Sequence, residues 1–163
     1  MKIKSLPING AFEIELVDFN DSRGSFKRLF CSKELSDLIS SKQIVQINSS
    51  ETFQKGSIRG MHFQTKPKAE TKLIHCINGE VYDVMIDLRK SSKTFLQWHS
   101  VKLSSQHNNM VIIPEGCAHG FQALSKNSRL IYFHTEFYSP EYESGIRYDD
   151  PLIGIDWPLA TNF

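Results

Sequence analysis

The sequence predicts a mainly β protein, a barrel or sandwich of short strands with one or two short helices. Short runs of alternating apolar and polar residues follow one another, turn signals separate them, and little of the chain has helical spacing. The 163 residues suit one domain with one core, and no repeat or linker divides them. We therefore expect a single domain over residues 1–163.

The first elements are short. Residues 11–17 (AFEIELV) alternate apolar and polar side chains, as a half-buried strand does. Residues 20–24 (NDSRG) predict a turn, after which residues 25–30 resume an extended pattern. The one early helix is expected just after Cys31, with Ser32 as its cap, because apolar residues recur there at helical spacing: Leu35, Leu38 and Ile39.

A hairpin is predicted near the middle of the chain. Residues 43–48 are strand-like, and the runs 72–77 and 80–88 follow, joined by Asn78-Gly79. An Asn-Gly pair between two such runs favours a type I′ turn, in which both central residues take positive φ. In the second run alternate residues share a face, with Val84, Ile86 and Leu88 on one side and Asp83, Met85 and Asp87 on the other.

The later chain continues the β pattern. Residues 98–103, 110–113 and 130–137 are further strand candidates. The tail after Tyr138 is expected to be irregular because proline and glycine recur in it, at Pro140, Gly145, Pro151, Gly154 and Pro158.

Composition excludes several classes of function. A net charge of +1 gives no basic field for nucleic acid or a membrane surface. No apolar run approaches the ~20 residues of a spanning helix, and the N-terminus lacks a signal-peptide pattern, so we expect a cytoplasmic protein. The three widely spaced cysteines, Cys31, Cys76 and Cys117, predict buried thiols and not a disulfide framework, although Cys117 beside His119 leaves a nucleophile open.

A first cluster of chemically capable residues is SIRGMHFQ (57–64). If the segment is extended, Arg59, His62 and Gln64 lie close together on one face. Arg59 could bind a phosphate, and His62 could act as a base near neutral pH. A solvated arginine and a capping histidine at a strand end would explain the same residues.

Two more clusters follow. In IPEGCAHGF (113–121), Pro and Gly form a tight turn before His119, and the spacing matches the P-x-G-x-x-H pattern of cupins. We therefore expect a cupin-type jelly-roll β-barrel. In the strand near residue 132, Tyr132, His134, Glu136 and Tyr138 share one face. An inward tyrosine there could move a proton, although strands favour aromatic residues for packing alone.

A metal site is the competing interpretation of the histidines. Metal-binding cupins generally supply two His and a Glu from the first motif and one His from the second. Here the first motif has His62 but Gln64 two residues later, and only Glu70 and His119 could complete a set. We therefore expect no metal and no organic cofactor.

Taken together, the clusters resemble the dTDP-4-dehydrorhamnose 3,5-epimerase family. The resemblance runs from about residue 21 to residue 158 and rests on DSRGSF (21–26), SIRGMHFQ (57–64), the strand at Lys72, GEVYDVMIDLRKSSKTFLQW (79–98), IPEGCAHGF (113–121), YFHTEFYSP (132–140) and DDPLIGIDWP (149–158). It implies a homodimeric jelly roll that acts on a nucleotide-diphosphate sugar.

The resemblance also implies roles for single residues. His62 falls on the family's base, Tyr132 on its acid, and Lys72 and His119 on the groups that hold the C4 oxygen of the sugar. The implied substrate-binding residues are Arg23, which reaches toward the diphosphate across a dimer, together with Phe26, Gln46, Asn48, Arg59, Gln64, Tyr138 and Glu143.

The sequence departs from the family in two places. The family usually pairs its base with an aspartate of a C-terminal Ser-x-Lys-Asp segment, which is absent here, so Asp83 or water is expected to orient His62. Lys27-Arg28 and Ile47 stand where acidic residues are common, which leaves the nucleotide open. The alternatives are a C3-only epimerase or a ketoisomerase on a GDP- or CDP-linked sugar, and a catalytically idle sugar-binding cupin.

Overall fold

The structure, a computed structural model, describes residues 1–160. Over that range the chain forms thirteen strands and three short helical segments. The strands are β1 Lys2–Ser5, β2 Phe12–Glu15, β3 Asp18–Asp21, β4 Gly24–Lys27, β5 Gln46–Thr52, β6 Ile58–Gln64, β7 Lys72–Asn78, β8 Glu80–Asp87, β9 Trp98–Ser104, β10 Asn109–Ile113, β11 Cys117–Ala123, β12 Ser128–His134 and β13 Glu143–Gly145. The helical segments are α1 Ser32–Leu35 and two 3₁₀ turns, Asp37–Ile39 and Pro140–Tyr142.

Two antiparallel sheets enclose the main core. One has six strands in the order β1-β2-β10-β7-β12-β5, and the other has five in the order β13-β6-β11-β8-β9. Strands β3 and β4 pair only with each other, as a separate ribbon. The core between the sheets draws on both, for example Ile74 and Leu130 from one and Met85 and Phe121 from the other. The prediction of a mainly β sandwich or barrel is confirmed.

The predicted hairpin at Asn78-Gly79 is wrong. Strand β7 belongs to the six-stranded sheet and β8 to the five-stranded one, and they do not pair. Of the two turn residues only Gly79 has a positive φ, 74°. The turn therefore carries the chain from one sheet across to the other, because both strands place apolar side chains in the space between the sheets.

Some local predictions also need correction. The helix begins at Ser32, but Cys31 is its N-cap and no side chain caps it. It breaks after Leu35 into a 3₁₀ turn, since Leu35 and Ile39 are both buried and tertiary packing outweighs regular helical geometry. Strand β1 was not predicted, and the tail includes strand β13.

The outer face of the five-stranded sheet is also buried. Val84 and Ile86 pack there with Met61 and Ala118, and side chains of the tail cover them, namely Ile146, Ile153, Ile155 and Trp157. The predicted division of β8 is thereby confirmed, because Met85 lies on the opposite, inner face. No helix among the described residues is long and apolar enough to cross a membrane.

Two glycines set the close approach of β6 and β11. A Cβ atom built on Gly120 would lie 2.5 Å from Met61 Sδ and 2.7 Å from Arg59 O, and one on Gly60 would lie 2.5 Å from Gly120 Cα. Only glycine permits this contact. The close pairing places His62 directly opposite His119.

Candidate active site

A cavity of about 600 Å³ opens between the two sheets and gathers the four predicted catalytic residues and two of the predicted binding residues, Asn48 and Arg59. Its walls come from β5, β7 and β12 on one side and from β6 and β11 on the other. The lining residues are Ile47, Asn48, Ser49, Ser50, Arg59, His62, Lys72, His119, Phe121, Tyr132 and His134. A separate cleft of about 700 Å³ lies along β1, β2 and β9, and the charged residues in its lining include the ion pairs Lys2–Glu15 and Lys4–Glu13.

His62 and Arg59 enter the cavity from β6. Residues three apart on a regular strand face opposite sides, but the pairing of β6 with β11 shifts between His119 and Phe121, and both side chains reach the cavity. Burial lowers the pKa of His62 and outweighs the nearby charge of Glu143, which acts to raise it. Across residues 1–160 no carboxylate hydrogen-bonds the His62 ring.

Asp83 holds His119, and the prediction that it orients His62 is wrong. Its Oδ2 lies 2.7 Å from His119 Nε2, and both side chains are buried. In the register of β8 with β11, Asp83 pairs with Phe121 and is therefore a diagonal neighbour of His119. The other oxygen, Oδ1, has no hydrogen-bond partner, and burial raises the pKa of the Asp83 carboxyl.

Tyr132 faces the cavity from the opposite sheet. Its hydroxyl lies 3.0 Å from Ser50 Oγ, and its ring meets that of His119 edge-on with centroids 6.1 Å apart. Burial raises the pKa of the Tyr132 phenol to about 12. The phenol therefore holds its proton firmly unless a strongly basic atom approaches it.

Lys72 belongs to a series of polar side chains in contact with one another, and the sequence predicted only some of its members as site residues. Its Nζ lies 3.2 Å from Glu70 Oε1, and Glu70 Oε2 lies 2.7 Å from His134 Nδ1. His134 Nε2 lies 3.3 Å from the Asn48 side-chain nitrogen. The cross-strand register of β7 with β12, which sets Lys72 opposite His134, was not readable from the sequence.

Gln64 does not lie in the cavity. Its buried amide donates to the carbonyls of Lys68 and Phe137 and accepts from the backbone N–H of Ser139. All of these bonds tie β6 to neighbouring loops. The polar atoms of Gln64 therefore already have partners within the chain, and its role in substrate binding stays a prediction.

Three other predicted binding residues lie beside the cavity mouth. Tyr138 is exposed and donates its hydroxyl to Glu143 Oε2 at 2.6 Å. Gln46 Oε1 accepts from the Tyr138 backbone N–H at 3.1 Å. The two contacts tie Tyr138 to β13 and to Gln46, which precedes the cavity residue Ile47 in the chain.

Arg23 and Phe26 lie on the β3–β4 ribbon, outside the cavity. Arg23 pairs with Asp21 at 2.6 Å. Phe26 and Phe19 pair across the ribbon and are 71% and 64% exposed. Within one chain neither predicted binding residue lines the cavity.

The two alternative chemistries find little support in the geometry. Burial raises the pKa of the Cys117 thiol to about 12, and Cys117 is not among the residues that line the cavity, which disfavours the nucleophile interpretation. No group of three His, Cys, Asp or Glu side chains converges as metal ligands within residues 1–160.

Comparison with protein families gives a match over nearly the whole chain. The family model described as dTDP-4-dehydrorhamnose 3,5-epimerase matches residues 5–163. The dTDP-4-dehydrorhamnose 3,5-epimerase of Methanothermobacter thermautotrophicus is 45% identical over 152 residues, which are 93% of this chain and 81% of that protein.

Solved structures show the same architecture. The Legionella pneumophila dTDP-6-deoxy-D-glucose-3,5-epimerase, in complex with dTDP-4-keto-L-rhamnose, has a TM-score of 0.93 at 38% identity and covers 99% of this chain and 86% of that one. A 3′-monoepimerase from Streptomyces bikiniensis, in complex with dTDP-quinovose, has a TM-score of 0.88 at 28% identity, over 96% and 79% of the two chains. The cupin-type fold expected from the sequence is confirmed.

Proposed function

The chain belongs to the dTDP-4-dehydrorhamnose 3,5-epimerase family, and we propose that it inverts C3 and C5 of dTDP-4-keto-6-deoxyglucose. The observation that carries the proposal is the placement of two proton carriers on facing sheets. His62 enters the cavity from the five-stranded sheet, Tyr132 enters from the six-stranded one, and Lys72 and His119 line the same space.

The reaction needs a base at the carbon next to the ketone. A proton on C3 or C5 is weakly acidic because its removal places negative charge on the C4 oxygen. His62 takes that proton, and its lowered pKa keeps the imidazole neutral and able to accept it near pH 7. The bond from carbon to hydrogen breaks, and its electron pair forms the enolate.

The enolate oxygen needs donors that are already in place. Lys72 and His119 supply them, and Asp83 holds the His119 ring in place through the contact between its Oδ2 and His119 Nε2. One preorganised donor of this kind is worth about 3–4 kcal/mol of transition-state stabilisation.

Inversion then needs a proton from the other face of the sugar. Tyr132 delivers it, and its pKa of about 12 is closer to that of a strongly basic enolate carbon than an ordinary phenol's would be. Arg59 binds the diphosphate as a planar cation, and Asn48 and Tyr138 contact the sugar nucleotide near the entrance.

The β3–β4 ribbon supports a homodimer in which Arg23 and Phe26 serve a partner's cavity. Two exposed phenylalanines on a two-stranded ribbon, Phe19 and Phe26, are typical of a surface that packs against another chain. Light scattering during size-exclusion chromatography tests this: we expect a dimer, and Phe19→Ser with Phe26→Ser should yield monomers.

The test of the function is proton NMR of the purified protein with dTDP-4-keto-6-deoxyglucose in D₂O, with His62→Ala as control. Deuterium at both C3 and C5, lost in His62→Ala, is the expected result. Deuterium at C3 alone would instead indicate the monoepimerase activity of the Streptomyces bikiniensis neighbour. No exchange with this sugar or with its GDP- and CDP-linked analogues would refute an epimerase.

A further inference from the structure

Glu70 and His134 form a buried pair that the proposed mechanism does not use. The side chain of Glu70 is only 8% exposed and that of His134 only 11%. Glu70 bonds with one oxygen to His134 and with the other to Lys72. Glu70 therefore links Lys72, which the proposed mechanism uses, to His134, which lines the wall of the cavity.

The carboxylate fixes the tautomer of His134. An ionised carboxylate only accepts hydrogen bonds, so the His134 Nδ1 that lies 2.7 Å from Glu70 Oε2 carries a proton. In the neutral ring Nε2 is then an acceptor. The Asn48 amide faces it with Nδ2 at 3.3 Å, an orientation assigned from this hydrogen bond, which leaves Asn48 Oδ1 for a ligand.

The same carboxylate supports the charge of Lys72. Lys72 is buried, with a side chain 11% exposed, and its ion pair with Glu70 compensates the cost of burying a charge. Burial works against ionisation of Glu70, but the hydrogen bond from His134 and the charge of Lys72 hold the pKa of its carboxyl below the ordinary value. Glu70 is therefore ionised at neutral pH.

We propose that Glu70 and His134 are positioning residues of this active site, in which Glu70 holds the Lys72 side chain in place through their ion pair and His134 turns the Asn48 amide so that its Oδ1 accepts a hydrogen bond from the sugar nucleotide. The inference rests on the proposed function. The series of contacts from Lys72 through Glu70 and His134 to Asn48 then serves two steps. Lys72 stabilises the enolate, and Asn48 binds the substrate.

The first test reads the tautomer directly and needs no substrate. Long-range ¹H–¹⁵N spectra of protein labelled at histidine, assigned with His134→Gln, report which ring nitrogen bears the proton. We expect the Nδ1–H form in the wild type and loss of that form in Glu70→Ala. An Nε2–H ring in the wild type, or an unchanged Nδ1–H ring in Glu70→Ala, would overturn the proposal.

The second test separates KM from kcat. Glu70→Gln removes the charge beside Lys72 and should lower kcat about tenfold, the size of one charge-assisted hydrogen bond. His134→Leu should raise KM about tenfold with little change in kcat, since Asn48 loses the partner that orients it. His134→Gln places an amide oxygen near the former Nε2 and should restore a KM close to that of the wild type.

Control measurements distinguish a failure of this inference from a failure of the proposed function. Glu80→Gln removes a surface ion pair with Lys102 on the far strands and should leave both constants unchanged. All variants are compared by thermal unfolding, and if Glu70→Ala or His134→Leu unfolds before assay, the wild-type tautomer and the kcat of Glu70→Gln still test the proposal. A wild type with no activity on any of the sugars would refute the proposed function and leave the tautomer result standing. An active wild type whose Glu70→Gln and His134→Leu forms match it would refute this inference.

Discussion

Asp83→Asn should separate activity from stability. The carboxylate is fully buried, accepts from His119 Nε2 at 2.7 Å, and has one oxygen without a partner. Asparagine has the same size and can still accept one hydrogen bond from the ring. The substitution therefore removes a charge and little else.

The expected loss of activity follows from Coulomb's law. Charge centres about 4 Å apart, at an effective dielectric constant of about 20, attract each other by about 4 kcal/mol. Asparagine keeps a neutral hydrogen bond worth about 1 kcal/mol, so about 3 kcal/mol of the charge-assisted interaction with the His119 ring disappears. At about 1.4 kcal/mol per tenfold change, kcat should fall by about two orders of magnitude.

The stability of Asp83→Asn, in contrast to its activity, should not fall. Burial raises the pKa of Asp83, so the folded chain binds its proton more tightly than the unfolded chain does. The ionised carboxylate consequently lowers the free energy of unfolding above the unfolded pKa of 3.8, and fully above the folded pKa. Asp83→Asn removes this cost, so its melting temperature should equal or exceed that of the wild type, with the difference growing as pH rises.

The assay pairs initial rates of proton exchange, followed by NMR in D₂O, with thermal unfolding at several pH values. Asp87→Asn is the matched control, on the same strand and face. Burial opposes ionisation there too, but hydrogen bonds from Arg89, Ser92 and Thr94 hold the pKa of Asp87 far below its usual range. That control should melt lower and leave kcat unchanged. An Asp83→Asn protein with kcat within threefold of the wild type, or a clearly lower melting temperature, would refute the reasoning.

Three further outcomes are expected. Tyr132→Phe should lower the rate of inversion at least ~100-fold while deuterium still enters the substrate, because the base His62 is intact. If NMR finds that exchange and inversion are lost together, Tyr132 is not the separate proton donor. Since burial lowers the pKa of His62 from 6.5, the acidic midpoint of kcat/KM in a pH-rate profile should lie below pH 6.5, and a midpoint above pH 6.5 would contradict His62 as the base. Gly120→Ala forces a Cβ to 2.5 Å from Met61 Sδ and 2.7 Å from Arg59 O. Urea unfolding should therefore show a loss of about 2–3 kcal/mol in the free energy of unfolding. An unchanged midpoint would contradict the close approach of β6 and β11.

Strand faces were predictable, but strand partners were not. Alternation along residues 80–88 correctly separated Val84 and Ile86 from Asp83 and Met85, because side-chain direction is a local property. The same segment was wrongly paired with residues 72–77. Turn chemistry marks a reversal of the chain, whereas sheet membership depends on which distant strands compete for the same edge.

The same distinction explains the outcome at the site. Local motifs indicated His62, His119 and Tyr132 as cavity residues, and all three line one space. Asp83 was assigned to the wrong histidine because its contact is a diagonal one across β8 and β11 and requires their register. The bond between Glu70 and His134 spans 64 positions of sequence, and no local pattern carries it.

The cover on the outer face of the five-stranded sheet has a consequence for biosynthesis. The residues that bury Val84 and Ile86 from outside, such as Ile153 and Trp157, follow every cavity residue in chain order. A nascent chain that has exposed both sheets to solvent still lacks this cover, and its central strands remain hydrophobic on both faces. We expect the pocket to mature only after these covering residues have left the ribosome, and until then the central strands are exposed to aggregation and to chaperones.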